Sequence, residues 1–71
     1  MKTRLLKKLR KRGRSQIHIY SVTKTNGLTT GMSIGYDNNK YSHLFNIGDT
    51  ERDVYKKAER IYINDYLNSK K

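Results

Sequence analysis

The sequence predicts an α+β fold: a three-stranded antiparallel β-meander packed on a C-terminal α-helix, preceded by a short basic N-terminal helix or arm. Three observations predict it. Over residues 46–67, Val54, Ala58, Ile61 and Tyr62 recur at helical spacing, with Tyr55 and Tyr66 widening the stripe. Residues 16–47 change to β-rich runs separated by turn residues. Residues 1–14 hold eight of the sixteen basic residues and no acid. The chain therefore divides into a basic arm, 1–14, and a sheet-plus-helix module, 15–71.

The arm carries Leu5, Leu6 and Leu9 on one helical face, and Gly13 is a natural helix stop. So few turns form a marginal helix alone, because like charges repel and nucleation is costly. Two states are open for it: a disordered tail, or a helix whose leucines dock on an apolar strip at Ile63 and Leu67.

The first β run is Q-I-H-I-Y-S-V-T-K-T. Its Ile17 and Ile19 alternate one way and Tyr20 and Val22 the other, which calls for a bulge or a doubly covered strand. Asn26-Gly27 is the preferred pair for a two-residue hairpin turn. The second run places Leu28, Thr30, Met32, Ile34 and Tyr36 on the helix side. Thr29, Gly31, Ser33 and Gly35 then form a small-residue face open to a partner. Asp37-Asn38-Asn39 turns into a third run, where Tyr41, His43, Phe45 and Ile47 alternate with Ser42, Leu44 and Asn46. The helix start is marked by Gly48, by Asp49 or Thr50 as cap, and by Asp53 three residues after Thr50, a capping-box spacing. Asp49, Glu51 and Asp53 complement the positive end of the helix dipole, and Lys70 and Lys71 the negative end.

A chain of 71 residues, 34% of them hydrophobic, builds one domain with a thin core. There is no cysteine for a disulfide or thiolate site, and His18 and His43 lack companions at ligand spacing, so no metal or other cofactor is expected. No nucleophile elbow and no phosphate loop occurs, and the chain reads as a non-enzyme. No apolar run has the length of a membrane span, and no signal-peptide segment follows the basic start; a cytoplasmic or nucleoid-associated location is expected.

A three-stranded meander followed by one packed helix resembles the N-terminal DNA-binding domain of tyrosine integrases and the related plant ethylene-response domain. The stretch F-N-I-G-D-T-E-R-D-V-Y-K-K-A-E-R-I-Y is similar to the family's strand–helix join, with Phe45, Thr50, Ala58 and Tyr62 at the matching positions. The resemblance covers about residues 14–67 and implies a sheet lying in the DNA major groove, backed by the helix. Where that family's strands carry Arg, Lys and aromatics, this chain offers Thr29, Ser33, Ser42 and Asn46. By the same analogy it is an accessory or regulatory factor of a phage or mobile element. The order helix, strands, helix also resembles a double-stranded RNA-binding domain, with Lys56-Lys57 in place of that family's lysine pair but further along the helix.

A formal charge of +10 at this size points to a polyanion. The expected function is nucleic-acid binding, duplex DNA before RNA. The candidate phosphate contacts are Lys2, Arg4, Lys7, Lys8, Arg10, Lys11, Arg12 and Arg14 in the arm, and Lys24 and Lys40 at the sheet margins; Thr29 and Ser33 lie on the open sheet face. The alternative is an interaction protein that binds an acidic protein surface or an RNA-containing assembly such as a CRISPR effector. A membrane surface ranks last, since three leucines bury little area.

Overall fold

A computed structural model of the chain describes residues 3–69. Helix α1 (Thr3–Arg14) leads into strand β1 (Ile17–Thr25) and strand β2 (Leu28–Tyr36); a 3-10 turn (Asn39–Tyr41) and a loop then lead to helix α2 (Glu51–Ser69). The strands form a two-stranded antiparallel sheet joined by Asn26 and Gly27, both at positive φ (53° and 82°), as a tight hairpin turn requires.

The expected three-stranded meander is corrected here: among the described residues there is no third strand. Local hydrogen bonding explains the difference. The Asn38 side chain accepts from the Lys40 amide (3.1 Å), and the Tyr41 and Ser42 amides donate to the Asn38 and Asn39 carbonyls (both 3.0 Å). Asn side chains that bond nearby amides favour turns over ladders. With the chain curled, Tyr41 and Leu44, three residues apart, sink together into the core, while His43 and Ile47 face solvent. Alternation would have put Tyr41 and Leu44 on opposite faces. Without the third strand, the meander that the integrase resemblance implies is absent.

The helix after this loop starts at Glu51; residues 46–50 are its lead-in turn. Thr50 and Asp53 bond reciprocally: the Asp53 amide donates to Thr50 Oγ1 (3.3 Å), and the Thr50 amide donates to Asp53 Oδ2 (3.0 Å). This capping box satisfies amides that the first helical turn leaves open, and those bonds from Thr50 hold the Asp53 carboxyl below its ordinary range. Asp49 closes the turn by accepting from the Asn46 amide (3.0 Å) and from Lys57, and the Lys57 ammonium also donates to the Leu44 carbonyl (2.9 Å). The bond from Lys57, then that from Asn46, lowers the Asp49 carboxyl as well. One lysine thus ties the loop to the helix. Lys70 and Lys71 lie outside the described residues.

Ile17, Tyr41, Leu44, Val54 and Ala58 form the buried core, flanked by half-buried Ile19, Met32, Ile34, Phe45, Tyr55 and Ile61. The α2 stripe therefore meets the sheet as its spacing requires. Of the two states open to strand β1, a bulge or double cover, it carries the bulge: the pairing shifts between Ile19 and Ser21, leaving Tyr20 as the extra residue. Ile17, Ile19 and Val22 face inward as a result, while Tyr20 and Ser21 both stay exposed.

Helix α1 packs on α2. Leu9 is 1% exposed, Gly13 is buried, and Leu5 and Leu6 are half-buried. The helix runs through Gly13 to Arg14. Glycine is needed there for another reason: a Cβ on Gly13 would stand 2.7 Å from the Glu59 Cα and 3.1 Å from the Tyr62 Cβ. Ala58, one residue before Glu59, is also small and buried, so the two backbones approach closely at this crossing.

Candidate nucleic-acid interface

The amphipathic spacing that buries the leucines of α1 has a second consequence. Lys7, Arg10, Lys11 and Arg14 follow one another at i, i+3, i+4 and i+7, the spacing of a single helical face. On α2, Arg52, Lys56 and Arg60 repeat every four residues and form a stripe beside the buried one. Docking α1 on α2 brings the two cationic rows to one broad, open groove of about 1290 Å³, lined by these seven cations. Among the described residues, Glu59 is the only acid along it.

Glu59 is already engaged. Its carboxylate lies 3.4 Å from Arg14 Nε, and the Arg14 guanidinium also sits 5.9 Å from the Tyr55 ring centroid, a cation–π contact. Arg14 is thereby positioned at the seam between the helices, and like the other six groove cations it is exposed. Ser15, His18 and Asn64 add polar groups, and Ile17, Tyr55 and Ile63 give the groove apolar patches.

The structure separates the expected contacts. It brings Lys7, Arg10, Lys11 and Arg14 together in the groove, and it leaves Arg4, Lys8 and Arg12 outside its lining. Lys2 lies outside the described residues. Of the sheet candidates, Lys24 is exposed on β1 and Ser33 on β2, and neither lines the groove. Lys40 is held by an ion pair with Asp65, whose hydrogen bond raises the lysine pKa. It borders a small cavity with Gln16, Tyr41, Tyr62 and Asp65, where burial pushes the Tyr41 phenol up.

Thr29 departs most from expectation. It is 4% exposed and so cannot contact a partner from the sheet face. A second irregularity explains this: Thr23 pairs with Gly31 and Lys24 with Thr29, so Thr30 is an inserted residue and the alternation of β2 breaks at that point. The loop covers the site, with the Gly48 amide donating to the Thr29 carbonyl at 2.8 Å. Nor is the small-residue face bare at Gly35, where the Tyr20 ring stands 2.5 Å from the position of a Cβ.

Arg52, Lys56 and Arg60 are the residues that reading the chain in segments misses. Their four-residue period is legible in the sequence; that they face the arm's cations follows only from the helix packing. Among the described residues no helix is long and apolar enough to cross a membrane, and no cluster of His, Asp or Glu could hold a metal ion. No protein-family model, curated protein or solved structure matches the chain.

Proposed function

We propose that this chain is a nucleic-acid-binding protein that seats a phosphate backbone in the groove between α1 and α2, with duplex DNA as its first substrate class. The observation that carries the reading is the union of two cationic rows from opposite ends of the sequence in one groove that holds, among the described residues, a single, already paired acid. Core packing does not account for them. Lys7–Lys11, Arg10–Arg14, Arg52–Lys56 and Lys56–Arg60 are like-charge pairs four apart, and such pairs weaken an isolated helix by a few tenths of a kcal/mol each. An anionic ligand reverses the sign of that effect.

The dimensions also fit. At 1.5 Å per residue the cationic rows run about 10 Å along α1 and about 12 Å along α2. Along one strand of duplex DNA the charges are ~3.4 Å apart, so each row spans about three phosphates of one backbone. The chemistry is sequence-independent, since cations on the backbone give position and affinity and base edges give specificity.

The test is a salt titration of duplex DNA binding by fluorescence anisotropy. Replacing Arg52, Lys56 and Arg60 together by Gln should flatten the log–log salt slope by about 2.7, close to 0.9 for each phosphate no longer neutralised. Lys24→Gln, away from the groove, should leave the slope within error. Equal effects per charge removed would reduce the groove to part of a diffuse positive surface. Tighter binding to anionic vesicles or to an acidic protein than to DNA would replace nucleic acid with that partner.

A further inference from the structure

Against His18, a lining residue of the cationic groove, stands a side chain that neither the core nor the phosphate contacts explain. Tyr20 is the bulged residue of β1 and is 69% exposed. The bulge turns it out of the alternation, and its ring occupies the space above Gly35, where any Cβ would be 2.5 Å from a ring carbon and 2.8 Å from the phenol oxygen. His18 packs against it edge to face, with centroids 4.7 Å apart, and the same His18 lines the cationic groove. The ring is therefore fixed by a bulge, a glycine and a neighbouring imidazole while most of its surface stays in water. Exposed aromatics held in this way beside a phosphate-binding track form the usual platform for an unpaired base, because every base has a π-face and stacking displaces water from both partners.

We infer that Tyr20, supported by His18 and Gly35, is a stacking site for one unpaired base of a nucleic acid whose phosphates lie in the α1–α2 groove. The inference rests on the phosphate-groove reading and sharpens its substrate class: duplex DNA with a single-stranded flank, in preference to a blunt duplex. Charge complementarity selects the occupant, since His18, which holds the ring, also lines the groove that carries the seven cations. An apolar protein segment would have to bring acids with it to bind at the same place.

The experiment uses the full chain and two probes, a blunt DNA duplex and the same duplex extended by a short single strand carrying 2-aminopurine. The wild-type protein should bind the extended duplex more tightly and quench the 2-aminopurine on stacking. Tyr20→Leu keeps an apolar cover over Gly35 and removes the ring. It should lose about 5- to 150-fold in affinity for the extended duplex, the range of one base–aromatic stack, and leave blunt-duplex affinity and salt slope unchanged. Tyr20→Phe should retain both the preference and the quenching. The inference is overturned if Tyr20→Leu, shown folded by circular dichroism, keeps the wild-type preference, or if the wild type shows none. Failure of the groove reading is distinguishable: the Arg52, Lys56 and Arg60 to Gln variant would then bind both probes as the wild type does.

Discussion

Gly13→Ala separates two physical effects that predict opposite signs. Alanine is the better helix former by about 0.8–1.0 kcal/mol, so helix propensity alone makes the variant more stable. Packing predicts the reverse. The new methyl would stand 2.7 Å from the Glu59 Cα, 3.1 Å from the Tyr62 Cβ and 3.3 Å from the Ala58 carbonyl oxygen. Ordinary carbon contacts lie near 3.5–4.0 Å, so α1 must shift by about an ångström. Two of these atoms belong to the α2 backbone and the third is a Cβ fixed to it, so none can rotate aside as the end of a long side chain can. Overpacking of this kind costs about 1–3 kcal/mol, which outweighs the propensity gain and leaves a net loss of about 1 kcal/mol. For a chain of this size that lowers the melting temperature by about 4–8 °C. Thermal denaturation followed by circular dichroism measures the change, and DNA affinity should fall with it because the shift separates the two cationic rows. A melting temperature at or above wild type would refute the close helix crossing, and with it the geometry that assembles the groove.

The remaining predictions bear on the same scaffold. Leu9→Ala should destabilise the chain by about 2–5 kcal/mol by chemical denaturation, as for other fully buried leucines, and an unchanged midpoint would mean that the module from residue 15 onward stands without α1. Asp49 and Asp53 have folded-state pKa values below the ordinary 3.8, so each contributes stability above that pH and loses it as the pH falls through its lower folded value. Asp53→Asn should therefore be less stable than wild type at neutral pH, with the gap closing below about pH 4; a gap independent of pH would assign the effect to something other than the carboxylate charge. Lys40, raised above 10.5 by Asp65, works in the other direction, contributing below that pH and losing its contribution as the pH rises further; Lys40→Gln should accordingly be less stable than wild type at neutral pH, with the gap closing above about pH 10.5, while its DNA affinity stays nearly unchanged because the ammonium is already paired.

Much of this molecule follows from local rules. Asn26-Gly27 dictates the hairpin because few residue pairs tolerate two successive positive φ angles. Thr50 and Asp53 mark the start of α2 through bonds between residues three apart, and Val54 and Ala58 identify its buried face by period alone. The broken alternation around Tyr20 is legible too, though it leaves open a bulge or a doubly covered strand, and the pairing register decides for the bulge. What local rules do not reach is any competition decided at a distance. The run from Lys40 to Ile47 alternates like a strand, yet Tyr41 and Leu44 gain more by entering one core together, and the Asn38 cap makes the turn that lets them. Gly13 has the composition of a helix stop and acts as a contact point, because α2, more than forty residues away, comes within van der Waals range of it. Likewise, the sequence by itself determines that residues 1–14 are cationic and that Arg52, Lys56 and Arg60 share a face of α2. Only the tertiary structure decides that these rows form one groove, because their meeting depends on where buried Leu9 and Gly13 seat one helix against the other.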